Sequence, residues 1–179
     1  MSSAASVEPR VSGTHSRGGS ILVLIAFVAI SFAVAAIGTI ATIDNVDGWY
    51  STARKVAWNP PSELFGPVWT VLYTAMSVAA WLVWRERHRV NVKPALYTYI
   101  AQLVLNSIWT PVFFGLYPTL GAPALWIALV IIVALDVVVL VTMMRFWRAS
   151  KAASWLLVPY WAWVLFATTL NAGLAVLNS

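Results

Sequence analysis

Residues 94–135 read PALYTYIAQLVLNSIWTPVFFGLYPTLGAPALWIALVIIVAL, a stretch of 42 residues without a charged side chain. One membrane-spanning helix needs only about 20 apolar residues at a rise of 1.5 Å each, so the stretch is long enough for two. Its middle part, GLYPTLGAP at 115–123, carries glycines and prolines, which end helices and form turns. The stretch therefore predicts two spans, at about 94–114 and 124–144.

Three more uncharged gaps lie outward from this stretch. Arg17 and Asp44 bracket the first, Glu63 and Arg85 bracket the second, and no charged residue follows Lys151. These gaps predict spans at about 21–43, 65–84 and 152–177. The first gap also resembles a signal peptide, but its apolar run exceeds the about 7–15 residues of such a segment, so we interpret it as a retained helix.

The five spans predict an all-α integral membrane protein, a bundle of five transmembrane helices. Residues 1–19 are rich in Ser and Gly and are expected to form a disordered tail, and residues 20–179 form the membrane domain. The chain is 61% hydrophobic and 9% charged, whereas an average soluble domain has roughly 25% charged residues. This composition excludes a cytosolic globular domain.

The cations set the expected orientation in the membrane. Nine of the 11 Lys and Arg residues lie in the N-terminal tail or in the loops after the second and fourth spans, whereas Arg54 and Lys55 lie in the first loop. The positive-inside rule places the N-terminus in the cytoplasm, and the first loop and the C-terminus outside. The same rule accounts for the net charge of +5, so no nucleic-acid partner is expected.

Few residues fit conventional catalysis or metal binding. The sequence has no Cys, and its two His, His15 and His88, lie outside the predicted spans. Neither a Ser-His-Asp arrangement nor a Gly-rich phosphate loop is evident, so no metal site and no conventional hydrolase or kinase is expected. Asp136 is the one acid inside a span. It fits either a proton or ligand site or a carboxyl bonded to a neighbouring helix.

Tryptophan is unusually frequent, with 11 residues. Four near the span ends, Trp58, Trp84, Trp147 and Trp155, fit the interfacial belt of membrane proteins. Others recur at helical spacing, which places them on single helix faces. These faces hold Trp69, Tyr73 and Met76 on the second span, Asn106, Trp109 and Phe113 on the third, and Trp163, Ala167 and Leu170 on the fifth. The faces could wall a cavity for a flat hydrophobic ligand, with Asn106 as polar anchor, or could pack the helices together.

The first outer loop, GWYSTARKVAWNPPSELF at 48–65, is rich in aromatic residues. Its consecutive prolines, Pro60 and Pro61, favour an extended turn. The loop fits a lid over the mouth of a cavity, and it also fits an interfacial loop anchored by Trp and Tyr.

Three regions carry a more specific pattern. They read WNPP at 58–61 with FGPVWTVLY at 65–73, then QLVLNSIWTPVFFG at 102–115, then VPYWAWVLFATTLN at 158–171. In this order they resemble the TspO/MBR family of tryptophan-rich sensory proteins, called translocator protein or peripheral benzodiazepine receptor in animals. The resemblance covers about residues 20–178 and implies a five-helix protein, commonly a homodimer. An excess of Arg over Lys favours a bacterial source and the bacterial cell membrane.

The resemblance implies binding of porphyrins, of steroids such as cholesterol and of benzodiazepine-type drugs, with links to tetrapyrrole regulation and oxidative stress. Ala167 matches a small residue at which ligand affinity depends on side-chain size, and Trp69 and Trp163 match indoles implicated in porphyrin chemistry. Trp58, Pro60 and Pro61 belong to the expected lid. The candidate ligand site comprises Trp58, Pro60, Pro61, Phe65, Trp69, Tyr73, Asn106, Trp109, Phe113, Trp163, Ala167 and Leu170.

The leading interpretation is a membrane receptor or sensor for porphyrin-like ligands. The alternatives are a protein that degrades porphyrin slowly in light and oxygen, with Trp69 and Trp163 as candidate reactive residues, and a transporter of porphyrin or steroid. Without His or Cys near the pocket, a porphyrin lacks a conventional axial ligand, so metal-free porphyrin is expected as a ligand and no obligatory cofactor.

Two features depart from the family pattern. Lys55 is followed by Val56 where the family often has proline, which predicts a looser lid. The cholesterol-recognition pattern expected at the end of the fifth helix is absent, because no cation follows Lys151. A match at Val46, Tyr50 and Arg54 lies in a loop, so the sequence gives steroid binding little support.

Overall fold

The computed structural model describes residues 17–179, without the side chains of 17, 39 and 41–43. Most of the predicted N-terminal tail therefore lies outside the described residues. The α-helices are α1 (Arg17–Asn45), α2 (Phe65–Arg85), α3 (Lys93–Thr110), α4 (Tyr117–Leu120), α5 (Ala122–Ala149), α6 (Lys151–Leu156) and α7 (Val158–Leu177). Wider π-type turns follow α1 at Val46–Tyr50 and α3 at Pro111–Gly115, and 3₁₀ turns lie at Ser62–Leu64 and Glu86–His88.

The helices form the predicted bundle of five spans, in which α6 and α7 together make the fifth. Four segments of the described chain are long and apolar enough to cross a membrane: Gly18–Gly38, Ser62–His88, Ala122–Ala149 and Lys151–Leu177. The remaining span, α3, is shorter and buries two amides, Gln102 and Asn106. Neighbours around the bundle run α1, α2, α6–α7, α5 and α3, and α3 closes the ring against α1.

Proline and glycine set the breaks between helices. Pro111 stands where α3 ends and the π-type turn begins. Gly121 separates α4 from α5 with φ of 64°, a conformation that strains residues with a Cβ. Pro159, at the start of α7, lacks an amide hydrogen and follows the break at Leu157 between α6 and α7. The predicted fifth span thus consists of two consecutive helices, α6 and α7, with a break at Leu157.

Buried polar groups cross-link the spans, because a bilayer offers backbone and side chains no water. The Ser31 hydroxyl on α1 lies 3.0 Å from the Tyr99 hydroxyl on α3, and Ser77 on α2 donates to Ser31 Oγ at 3.0 Å. Asp136 Oδ2 on α5 accepts a hydrogen bond of 2.8 Å from Thr168 Oγ1 on α7. The interpretation of Asp136 as a carboxyl bonded to a neighbouring helix is therefore confirmed.

The two ends of the bundle differ in charge and covering. Residues 46–64 lie at the same end as the C-terminus of α7, since Asn178 bonds Arg54; we call this the loop end. The opposite end, which we call the basic end, carries Arg85, Arg87, Arg89, Lys93, Arg145, Arg148 and Lys151. Three of these cations lie over indole rings, as side chains at a membrane interface do: Arg85 over Trp81, Arg87 over Trp84 and Lys151 over Trp147.

Candidate functional site

A cavity of about 390 Å³ lies near the loop end, between α1, α2 and the end of α3. This volume falls within the range of small-molecule sites, about 300–1,000 Å³. The lining side chains are mainly aromatic or small, and none is charged. They are Phe32, Val34, Ala35 and Gly38 of α1; Val46, Tyr50 and Ser62 of the loop; Phe65, Gly66, Trp69, Thr70 and Tyr73 of α2; and Trp109, Thr110 and Phe114.

Ring stacking fixes the aromatic walls. Trp69 stacks on Tyr73 with ring centroids 5.3 Å apart and an interplanar angle of 29°. Trp109 stacks on Phe113 at 5.1 Å, and Trp49 stacks on Tyr117 at 4.0 Å outside the lining. Because Trp69 and Trp109 each stack on a neighbouring ring, they present flat aromatic surfaces of the kind that suits a planar ligand.

Hydrogen bonds behind the cavity walls determine which donors and acceptors the wall residues have left for a ligand. The Tyr73 hydroxyl donates to Asn106 Oδ1 at 2.7 Å, so its oxygen keeps free lone pairs as an acceptor. Trp109 Nε1 donates to Asn171 Oδ1 at 3.1 Å, so this indole presents only its ring. Asn106 also donates to the Tyr160 hydroxyl at 3.4 Å. The amide predicted as an anchor thus lies behind the cavity and positions Tyr73.

The structure brings together only some of the predicted site residues. Phe65, Trp69, Tyr73 and Trp109 line the cavity. Two more lie directly behind it, since Phe113 stacks on Trp109 and the Trp163 ring lies 5.8 Å from Phe65. The remaining predicted residues lie elsewhere. Ala167 and Leu170 are buried on α7, and Trp58 is 58% exposed on the loop. Pro60 and Pro61 directly precede the 3₁₀ turn before α2.

The wall that sequence analysis missed is α1. Phe32, Val34, Ala35 and Gly38 line the cavity in place of the expected α7 face. The α1 sequence is apolar on every side, so periodicity alone does not show which face points inward. One glycine does mark the contact, because a Cβ added at Gly38 would lie 3.4 Å from Thr110 Cγ2.

The loop, residues 46–64, covers the end of the bundle; its start is bonded to the segment after α3, and an internal hydrogen bond braces it. Trp49 Nε1 donates to the Phe114 carbonyl at 2.8 Å, and the Tyr50 hydroxyl donates to Asn59 Oδ1 at 3.2 Å. Burial raises the pKa of the Tyr50 hydroxyl, and the bond to Asn59 lowers it by less, so this hydroxyl remains a donor at neutral pH.

The middle of the loop is docked on α7. Asn178 accepts from the Arg54 amide at 3.1 Å and donates to the Arg54 carbonyl at 2.9 Å. Val56 packs directly on Gly173, where an added Cβ would lie 2.2 Å from Val56 Cγ1. These contacts argue against the looser lid expected from Val56. The Val56 side chain packs into the space on α7 that is open because Gly173 has no side chain.

We expect Gly173→Ala to destabilise the protein, because the new methyl group overlaps Val56 and pushes the loop away from α7. The expected cost is about 1 kcal/mol, at the lower end for overpacking, since a loop can shift. Thermal unfolding in detergent measures it. Val56→Ala should remove most of the cost in the double variant, and additive losses from the two changes would contradict the contact.

Comparison with known proteins agrees with this architecture. The TspO/MBR family profile matches residues 27–177. The tryptophan-rich protein TspO of Archaeoglobus fulgidus is 37% identical over 160 residues, 89% of this chain and 99% of its own length. The namesake from Chlorobaculum tepidum is 40% identical over 88% of this chain and 97% of its own. The translocator protein of Homo sapiens is 38% identical over 69% of this chain and 70% of its own length. The chain therefore belongs to the TspO/MBR family of multi-pass integral membrane proteins.

Proposed function

We propose that the protein is a membrane receptor for porphyrin-like ligands, which bind in the cavity between α1, α2 and α3. The observation that carries the proposal is an aromatic cavity of about 390 Å³ without a charged lining residue. A planar macrocycle would stack on the ring of Trp69. The family resemblance supports porphyrin among the possible flat ligands.

The chemistry of the lining favours a metal-free porphyrin. None of the lining residues is His, Cys or Met, the side chains that most often ligate haem iron. A metal-free porphyrin needs no axial ligand, because its inner N–H groups are shared with the other ring nitrogens, so this lining suits it.

Two cations at the loop end favour a ligand that carries carboxylates. The Lys55 ammonium lies 4.7 Å from the ring centroid of Tyr50, and Tyr50 lines the cavity. Arg54 is the neighbouring residue. A porphyrin whose carboxylates point to this end would keep its ring in the apolar part of the site, as amphipathic ligands do.

Titration with protoporphyrin, followed by quenching of tryptophan fluorescence, tests the proposal. We expect saturable binding that Trp69→Leu weakens by about tenfold, since an aromatic stack contributes about 0.5–1.5 kcal/mol. The matched control is Trp126→Leu, because Trp126 is 45% exposed on α5 and outside the cavity lining. Equal affinity of the Trp69 variant and the wild type would refute the stacking site.

Light- and oxygen-dependent degradation of bound porphyrin is a second candidate function, supported by the place of Trp69 in the wall. An excited porphyrin beside this indole can accept its electron, or can pass its energy to O₂. We expect Trp69→Phe to keep binding but to slow the light-dependent loss of porphyrin absorbance several-fold. Trp163→Phe should have a smaller effect, because Phe65 separates Trp163 from the cavity. Unchanged rates in both variants would remove the two indoles from the mechanism, and a wild-type rate no faster than that of protoporphyrin without the protein would refute this function while leaving the receptor proposal intact.

A further inference from the structure

The cavity has a mouth on the side of the bundle. Three of its lining residues are exposed, Ser62, Gly66 and Thr70, and they follow one another at every fourth position through the 3₁₀ turn and the start of α2. This spacing places them on one face of the helix. The opposite lip is formed by Val34 and Ala35 of α1, which are half-buried. The mouth is therefore a gap between α1 and α2.

The surface around this gap is apolar. Ile37 and Ile40 of α1 are 68% and 78% exposed, and Val71 of α2 is 67% exposed. The lip residues lie within the apolar spans Gly18–Gly38 and Ser62–His88. In a membrane this surface contacts lipid, so the gap opens to the hydrocarbon of the leaflet at the loop end rather than to water.

The other way into the cavity, through the end of the bundle, is covered. The loop is bonded to α7 through Arg54 and Asn178 and packs on it through Val56 and Gly173. Its start is bonded through Trp49 to the Phe114 carbonyl, beside the cavity. A ligand that entered from water would have to break these contacts.

Of the two helices that border the gap, α1 is the one that can move more easily. Of the four apolar spans of the described chain, α1 is the least buried. Two of its hydrogen bonds to other helices lie before the cavity: Trp81 Nε1 donates to the Ser20 carbonyl at 2.8 Å, and Ser31 lies 3.0 Å from the Tyr99 hydroxyl. The part of α1 that lines the cavity begins directly after Ser31. A small tilt of this part would widen the gap without loss of those bonds.

We infer that the gap between α1 and α2 is a lateral portal, through which a flat amphiphilic ligand dissolved in the bilayer enters and leaves past Thr70. The inference rests on the proposed receptor function and specifies its ligand class further, as molecules that partition into the membrane. It also makes Thr70 a residue that controls the rate of binding more than its strength.

Narrowing the gap tests the portal. Thr70→Trp places an indole across the mouth, and Thr74→Trp, one turn further on the same exposed face but outside the lining, is the control. In nanodiscs, stopped-flow quenching by protoporphyrin should show association and dissociation slowed by about tenfold or more in the first variant, equivalent to about 1.4 kcal/mol of barrier. The control should keep wild-type rates. Equal rates in the two variants would overturn the inference.

Locking the loop tests the competing route. The native chain has no Cys, and a Cβ at Gly173 would lie 3.5 Å from Val56 Cβ, a separation that suits a disulfide. In the double variant Val56→Cys, Gly173→Cys, the oxidised and reduced forms of one protein should bind protoporphyrin at equal rates. Slower binding after oxidation, with an unchanged final amplitude, would show entry under the loop and overturn the portal.

The two proposals fail in different ways. Saturable binding with rates that respond to the loop lock and not to Thr70→Trp would refute the portal and leave the receptor function standing. No saturable binding of protoporphyrin to the wild type would refute the receptor function itself.

Discussion

Ala35→Trp is expected to abolish most porphyrin binding. Ala35 lines the cavity on the α1 side, across from the α2 wall that holds Trp69. An indole there would occupy a large share of the about 390 Å³ available to the ligand. To bind, the porphyrin would have to push this indole aside or leave part of its own ring outside the cavity. We therefore expect the affinity for porphyrin to fall about hundredfold, which corresponds to about 2.7 kcal/mol of binding free energy.

Ala36→Trp is the matched control for this change. Ala36 is the next residue, it is exposed on α1, and it does not line the cavity. A tryptophan at Ala36 faces lipid and should leave affinity within about twofold of the wild type. Equal losses in the two variants would mean that α1 responds to added bulk in general, and they would refute the cavity as the site.

Asn106→Leu is expected to give the second large effect, on stability. The leucine leaves the Tyr73 hydroxyl without its buried acceptor and removes one of two partners of Tyr160, whose own hydroxyl still donates to Gln102 Oε1 at 2.7 Å. A stranded buried hydroxyl costs about 1–3 kcal/mol. The apparent Tm of the detergent-solubilised protein should fall accordingly.

A double-variant comparison separates this hydrogen bond from packing. If Asn106 acts mainly by accepting from Tyr73, then adding Tyr73→Phe to Asn106→Leu should cause no further loss and should restore part of the lost stability. Ser107→Ala is the control at the neighbouring position, because Ser107 bonds only the Val104 carbonyl of its own helix among the contacts described. Fully additive losses would contradict the role of Asn106 as the residue that positions Tyr73.

The bundle could be predicted from charge spacing because hydrocarbon excludes charged side chains over a fixed thickness. The gap from Lys93 to Asp136 and its glycine-proline centre gave two spans at nearly their observed places. The break at Leu157 was not predicted, because α6 and α7 have no change in composition between them. The short helix α4 was also hidden, within a segment that reads as a turn.

The site was predictable only in part. The faces of α2 and α3 stand out because their aromatics recur at helical spacing, and Trp69, Tyr73 and Trp109 do line the cavity. The same kind of spacing on α7 gives Ala167 and Leu170, which are buried but lie outside the cavity lining. Periodicity reports that a face is buried, and it does not report whether a ligand or another helix covers it. The α1 wall carries no such signal.

A structure of the protein with protoporphyrin bound is the measurement that tests the central claim most directly. The macrocycle should lie between α1 and α2, in contact with Ala35 and the face of Trp69, with its carboxylates toward Lys55. A macrocycle seated instead between Trp163 and Ala167, with the α1–α2 cavity closed, would contradict the site proposed for this protein.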